Sequence, residues 1–211
     1  MVEVAVAMKS RWVAPLAGAT AIVGAAFWWR THPSACPYRQ RFWVEAPHPL
    51  ITRPRLREAL TPVGGERLLE IGPGTGYYTV AVAEWLGPDG SLEILDLQQE
   101  MVDHALRMSR KRGLANVVGT QGDARSLPYE DDRFDGAFLV ATLGEIPDQV
   151  VALRELARVI RPGGRVVVGE LFGDPHWVRL GRLTERADSV GLGFEQRVGT
   201  RLGYFARFRA P

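Results

Sequence analysis

The sequence predicts an α/β domain whose strands form a mostly parallel sheet. Three observations carry that expectation. Beyond Gly64, short apolar runs alternate with segments of helical period, the pattern of successive βαβ units. The first run breaks into a glycine hinge, Gly72-Pro73-Gly74-Thr75-Gly76. Carboxylates, Glu70, Asp96 and Asp123, fall at the ends of the first three runs.

At 211 residues, 46% of them hydrophobic, the chain holds about one domain and enough apolar surface for one full core. Its formal charge is only +2, and the basic residues, nearly all arginine, are spread along the sequence rather than massed. That distribution points to no nucleic-acid partner. A lone cysteine, Cys36, excludes an intrachain disulfide, and His32, His48, His104 and His176 are too scattered to form a ligand cluster with it, so no metal is expected.

Residues 1–30 form a hydrophobic N-terminal segment. From Trp12 to Trp29 it is uncharged, bracketed by Lys9, Arg11 and Arg30. As a helix that stretch would span roughly 27 Å at about 1.5 Å per residue, just short of a bilayer's hydrocarbon thickness. Trp12, Trp28 and Trp29 stand where interfacial anchors would sit. Membrane association through residues 12–29 is one reading; a soluble amphipathic or domain-packing helix is another. An export signal fits less well, because Pro33-Ser34-Ala35-Cys36 is a poor lipoprotein cleavage box. If the segment spans, the six arginines from Arg30 to Arg57 outnumber Lys9 and Arg11, which keeps the globular part on the cytoplasmic side. A cytoplasmic location is expected, with or without an anchor.

Residues 31–62 are rich in proline and arginine, with Tyr38, Phe42 and Trp43 among them. Pro37, Pro47, Pro49 and Pro54 interrupt any long helix, although Arg53 to Leu60 predicts a short one with Pro54 in its first turn. The segment is long enough to fold over the mouth of a site as a lid, and it serves equally as a plain linker. The domain proper is expected over 63–211.

Within it, Arg67 to Ile71 is the first strand, and Tyr78 to Leu86 is a helix stopped by Gly87-Pro88-Asp89-Gly90. Leu92 to Leu97 is the second strand; Gln98 to Arg112, with Met101, Ala105 and Met108 at helical spacing, is the next helix. Val117 to Gln121 and Phe134 to Val140 are strands three and four. Val150 to Ile160 is helical, with Leu153, Leu156, Ala157 and Ile160 on one face, and Arg165 to Gly169 is strand five. His176 to Val190 reads as a helix. Phe194 to Val198 and Tyr204 to Phe208 flank Gly199-Thr200-Arg201 as a hairpin.

The chemistry begins at the hinge. Glycines in a strand-to-helix turn let the backbone approach a ligand closely and present amides at a helix start. In a dinucleotide fingerprint the third glycine falls three residues after the second; here Gly76 follows Gly74 by two, and position 77 is tyrosine. Asp96, twenty residues beyond Gly76, stands where a carboxylate accepts both hydroxyls of a ribose, and Asp123 where a side chain reaches an adenine amine. Each could instead be an ordinary loop cap.

From about Arg67 to Phe208 the chain resembles the class I S-adenosylmethionine-dependent methyltransferases, in particular the small type 11 group. The matching stretches are Leu68-Leu69-Glu70-Ile71-Gly72-Pro73-Gly74-Thr75-Gly76, Leu95-Asp96-Leu97 with Met101, Gly122-Asp123-Ala124 with Leu127-Pro128-Tyr129 and Phe134-Asp135, and Leu156 to Arg165. The resemblance implies a Rossmann-like three-layer sandwich with a seven-stranded mostly parallel sheet, last strand antiparallel. It also implies S-adenosylmethionine over the carboxyl ends of strands one to four. The cofactor would meet Glu70, Gly72, Pro73, Gly74, Thr75, Gly76, Asp96, Leu97, Met101, Asp123, Ala124 and Val140. Asp135 is read as a structural hydrogen bonder and His104 as a solvated surface residue.

Methyl transfer from a sulfonium needs chiefly orientation and exclusion of water; a base is required only if the acceptor must lose a proton. Glu145, in the segment after strand four, is the first candidate for such a group, and equally a capping carboxylate for the helix near Pro147. His176 is the second, with a packing role as its alternative. The acceptor expected is a small molecule or lipid, lipid-like if residues 12–29 anchor the chain. Two other classes remain open: a module that binds S-adenosylmethionine without transfer, and a nicotinamide-dependent oxidoreductase, disfavoured by the glycine spacing. Neither the acceptor atom nor the oligomeric state is legible.

Overall fold

The fold was read from a computed structural model, which describes residues 34–40 and 49–211. The hydrophobic stretch 12–29, read above as an anchor or a packing helix, lies outside the described residues. Among the described residues no helix is long and apolar enough to cross a membrane.

Seven strands form one sheet: β1 (Arg67–Ile71), β2 (Ser91–Asp96), β3 (Val117–Gln121), β4 (Phe134–Val140), β5 (Ile160–Leu171), β6 (Gly193–Gly199) and β7 (Gly203–Arg209). Their order is β3-β2-β1-β4-β5-β7-β6. β1 lies parallel between β2 and β4, β2 parallel to β3, and β4 parallel to β5. β7 runs antiparallel to both β5 and β6, as a hairpin ending dictates. The seven-stranded, mostly parallel sheet expected from the resemblance is therefore present.

Helices α1 (Arg53–Leu60), α2 (Tyr77–Leu86) and α3 (Gln99–Lys111) cover one face, and α4 (Gln149–Val159) and α5 (Leu180–Asp188) the other. Coverage on both faces explains why the central strands read as continuous apolar runs rather than alternating ones. Leu68, Ile94 and Phe138 are buried with α2 and α3; Leu69, Ala137 and Val166 are buried with α4 and α5.

Three expectations are corrected. The domain does not begin at residue 63: Ile51, Leu56, Ala59 and Leu60 are buried in the core beside Leu68 and Phe205, so α1 is part of the packing and only the segment before it can act as linker or lid. β5 starts at Ile160, not Arg165, because Gly163 takes φ +72° and the strand bulges through Pro162-Gly163-Gly164 while Ile160 pairs with Phe134 and Arg165 with Gly136. The last helix starts at Leu180, not His176. The intervening amides are taken by other acceptors: His176 N–H by Asp174 Oδ1 at 2.7 Å, Val178 N–H by Glu170 Oε2 at 3.0 Å.

A buried ion pair fixes the bottom of the sheet. Arg165 Nη1 and Nη2 reach the two Glu66 oxygens at 2.9 and 2.5 Å, and Nε donates to the Leu60 carbonyl at 2.5 Å. Both side chains are nearly closed to solvent, 10% and 14% exposed, so the bidentate geometry offsets the cost of desolvating them. Asp135 is the structural hydrogen bonder expected of it, accepting the Arg67 N–H at 2.7 Å and pairing with Arg161 at 2.6 Å.

Candidate active site

Strand order reverses between β1 and β4, and at such a switch point the diverging connections open a crevice beyond the carboxyl ends of the strands. The glycine hinge leaves β1 there. Gly72 N–H donates to the Leu95 carbonyl at 2.8 Å, and its φ of +68° is a left-handed conformation that other residues resist. Any Cβ at this position would fall 2.5 Å from the Thr142 side chain, so the exits of β1 and β4 are closed against each other. Thr142 Oγ1 in turn donates to the Val140 carbonyl at 3.0 Å. Beside it Ala141 carries φ +52°, backbone strain of the kind that collects at functional loops. Gly76, at φ +81°, is the N-cap of α2 and lies against Ala105 of α3.

The three carboxylates expected at this rim are gathered there, in different states. Asp96 ends β2, and its Oδ1 accepts the Gln98 N–H at 2.9 Å. Burial raises its pKa to about 6 against the lowering effect of the Gln98 and Leu97 amides, which leaves it ionised at neutral pH. Gly122 N–H donates to the Asp96 carbonyl at 2.9 Å, tying the exit of β3 to the same point. Asp123 follows at the surface, where Arg125 holds both its oxygens, Nε to Oδ1 at 3.0 Å and Nη2 to Oδ2 at 2.6 Å, and keeps its pKa below the usual carboxylate range. Glu70 lies beneath the rim, 2% exposed, accepting the Thr79 hydroxyl at 2.5 Å. Burial pushes it up to about 8, with Asp96 adding to the rise, so it is neutral at pH 7 and spent on holding the start of α2.

Of the other expected contacts, Pro73, Thr75, Met101 and Ala124 are buried, Gly74 and Val140 half-buried, and Leu97 exposed. The donor set fits an adenosyl group. An ionised carboxylate for a diol, a hinge with three left-handed glycines and a helix start meet at one crevice.

A second group of side chains stands at the exits of β4 and β5. Glu145 lies in a 3-10 turn, Leu143–Glu145, and its Oε2 accepts the Cys36 N–H at 3.2 Å. Burial raises its pKa to about 8; the Cys36 bond opposes this, and Asp174 and Asp96 add to it. Glu145 is not the helix cap, since Asp148 takes that position and accepts the Val151 N–H at 3.1 Å. His176 sits in the loop before α5, and its carbonyl occupies the space of a Cβ on Gly144, a contact that pins the two exits together.

Sequence reasoning missed two residues here. Glu170, at the end of β5, is 1% exposed with no hydrogen-bond partner on Oε1; burial, then Asp174 and Glu145, raise its pKa well above the ordinary value. An acid closing the apolar run Val166-Val167-Val168 was the available signal. Gln98 was the other: its Nε2 donates to the Cys36 carbonyl at 2.9 Å and its Oε1 accepts the Tyr38 N–H at 3.0 Å. His104 is also not the solvated residue expected, for its Nδ1 lies 3.1 Å from the Tyr38 hydroxyl. The Cys36 thiol is held protonated by burial, Glu145 and Asp174, which argues against a nucleophilic role.

Residues 68–164 match a family model described as a methyltransferase domain. The demethylmenaquinone methyltransferase of Geobacillus sp. (strain WCH70) is 36% identical over 103 residues, 49% of this chain and 44% of that protein. The enzyme of the same name from Staphylococcus carnosus (strain TM300) is 32% identical over 117 residues, 56% of this chain and 48% of that one. These matches thus span less than half the length of the curated relatives. Among solved structures, an S-adenosylmethionine-dependent methyltransferase from Aquifex aeolicus superposes with TM-score 0.77 at 19% identity, over 84% of this chain and all of that one. The [4+2]-cyclase SpnF superposes with TM-score 0.67 at 23% identity, over 75% and 79%.

Residues 68–164 thus carry a methyltransferase domain, on a fold shared with S-adenosylmethionine-dependent methyltransferases of known structure.

Proposed function

We propose that the protein transfers the methyl group of S-adenosylmethionine to a small lipid-like acceptor of the quinone class. The observation that carries the cofactor half is Asp96, an ionised carboxylate at the switch-point crevice beside a hinge whose left-handed glycines let backbone approach a ligand. What supports the acceptor half is the likeness to demethylmenaquinone methyltransferases and a crevice wall that carries protonatable carboxyl groups.

S-adenosylmethionine supplies a methyl group already activated on a sulfonium, so the protein's tasks are placement, dryness and proton handling. Asp96 accepts the ribose hydroxyls. Gly72, Gly74 and Gly76 back the methionine portion, with Met101, Ala124 and Asp123 around the adenine. Glu145 stands on the acceptor side, and its ionised form, gained as pH rises through about 8, takes a proton from an acceptor hydroxyl as the oxygen or ring carbon is methylated. The strap Cys36–Tyr38, bonded to Gln98 beside Asp96 and to Glu145, covers both halves as a lid.

Incubation of the full chain with labelled S-adenosylmethionine and demethylmenaquinone chemically reduced to its quinol, in detergent, tests this. Methylated quinol is the expected product. Cofactor binding without turnover on this or related quinols would favour a binding module.

A further inference from the structure

Large apolar side chains are not exposed evenly over the domain. Of the seven that stand out among the described residues, Tyr77, Leu97, Phe172 and Leu202 lie at the carboxyl-end rim around the mouth of the crevice. Two of them form one knob. Phe172, directly after β5 and 58% exposed, donates its N–H at 2.7 Å to the carbonyl of Leu202, 52% exposed in the β6–β7 turn. Two loops are therefore locked into one projection. Trp177 packs edge-on against Phe172, ring centroids 5.3 Å apart, and the Arg179 guanidinium sits 5.9 Å over the Trp177 ring. Arg201 precedes Leu202 and is exposed. Across the mouth the same pairing recurs, with the Arg53 guanidinium 4.1 Å over the exposed Tyr77 ring.

Single apolar side chains are ordinary on a soluble surface, whereas apolar side chains held together in one projection, as Phe172 and Leu202 are, form the kind of patch that marks a contact. Tryptophan and tyrosine capped by guanidinium are the side chains that settle at a lipid headgroup boundary, apolar body inward and cation among the phosphates. The acidic groups nearest the knob do not cancel that charge outward. Asp174 is half-buried and turned to the His176 N–H, and Glu145 and Glu170 lie inside the crevice wall. Beside Leu97, in contrast, Glu100 is exposed, so that flank is left out of the contact.

We propose that the Phe172–Leu202 knob, with Trp177, Arg179 and Arg201, seats the mouth of the crevice on an anionic lipid bilayer. The inference rests on the lipid-like acceptor argued above: such a molecule would pass from the membrane into the crevice without crossing water. It concerns other residues than the hydrophobic stretch 12–29.

The test uses the full chain with Cys36→Ser and one new cysteine, Leu202→Cys or Val118→Cys, each labelled with an environment-sensitive fluorophore. Vesicles are phosphatidylcholine, alone or with phosphatidylglycerol. With anionic vesicles the probe at 202 should shift to the blue and be quenched by quenchers in the acyl region, while the probe at 118, on the edge strand β3, stays in water. Arg179→Glu with Arg201→Glu should lower partitioning to anionic vesicles at least roughly tenfold, with unchanged thermal unfolding. Absence of vesicle binding, or binding that leaves position 202 in water, would overturn the proposal. So would a blue shift without vesicles that grows with protein concentration, which would mean a second copy covers the knob. Turnover on detergent-dispersed quinol is measured separately, so failure of the docking and failure of the activity are told apart.

Discussion

Glu145 and Cys36, 109 positions apart, meet through one hydrogen bond, the Cys36 backbone N–H donating to Glu145 Oε2 at 3.2 Å. The bond brings the N-terminal strap to the exit of β4. Tyr38 and Cys36 bond Gln98, so the same strap also reaches the exit of β2. A carboxyl group that could serve the acceptor is thereby shut away from bulk water, which is what raises it.

Glu145 is neutral at pH 7 and ionises as pH rises through about 8. If it receives a proton from the acceptor, turnover should climb with pH across that window and then level off. Glu145→Gln should remove the climb and lower kcat on the order of 100- to 10,000-fold, with cofactor affinity unchanged. A pH profile of kcat for both proteins checks this; a variant with the same rising limb would take Glu145 out of the chemistry.

Asp96 behaves in the opposite range. Its carboxyl sits near 6, so the ionised form that accepts two hydroxyls is complete at pH 8 and is lost as pH falls below about 6. Cofactor affinity should decline over that interval. Asp96→Ala should weaken binding by about 1 to 3 kcal/mol at neutral pH and abolish the decline. Calorimetric titration at several pH values measures both.

Gly72→Ala forces a side chain into a left-handed residue and against Thr142 at 2.5 Å. The conformation alone costs about 1 to 2 kcal/mol, and the clash adds to it. Lower thermal stability and weaker cofactor binding are expected together. Thr142→Gly in the same chain should restore part of the stability, because only the clash is relieved.

Arg165→Met leaves the half-buried Glu66 without its bidentate partner and the Leu60 carbonyl without a donor. Unfolding free energy should fall by about 1 to 3 kcal/mol, read by chemical denaturation. Replacing Glu66 by Gln at the same time should recover some of the loss, since the unpaired charge goes with it.

Much of the sheet was legible because parallel strands covered on both faces announce themselves as apolar runs, and the runs at Arg67–Ile71, Val117–Gln121 and Phe134–Val140 are strands to the residue. Where side chains compete for backbone amides, periodicity misled. Asp174 and Glu170 hold off the helix that His176 was expected to begin, and a glycine bulge lengthened β5 beyond its apolar stretch. At the site, Asp96 and the hinge followed from spacing. The pairing of Asp123 with Arg125, two residues on, and the burial of Glu170 depend on rotamers and on packing from distant segments, and neither leaves a period in the sequence.

Calorimetric titration of the full chain with S-adenosylmethionine, with its demethylated product and with NAD tests most directly whether the crevice holds an adenosyl-sulfonium. Saturable binding of the first two, weakened by Asp96→Ala, and none of the third is the expected result. Tight binding of NAD with no response to S-adenosylmethionine would contradict it.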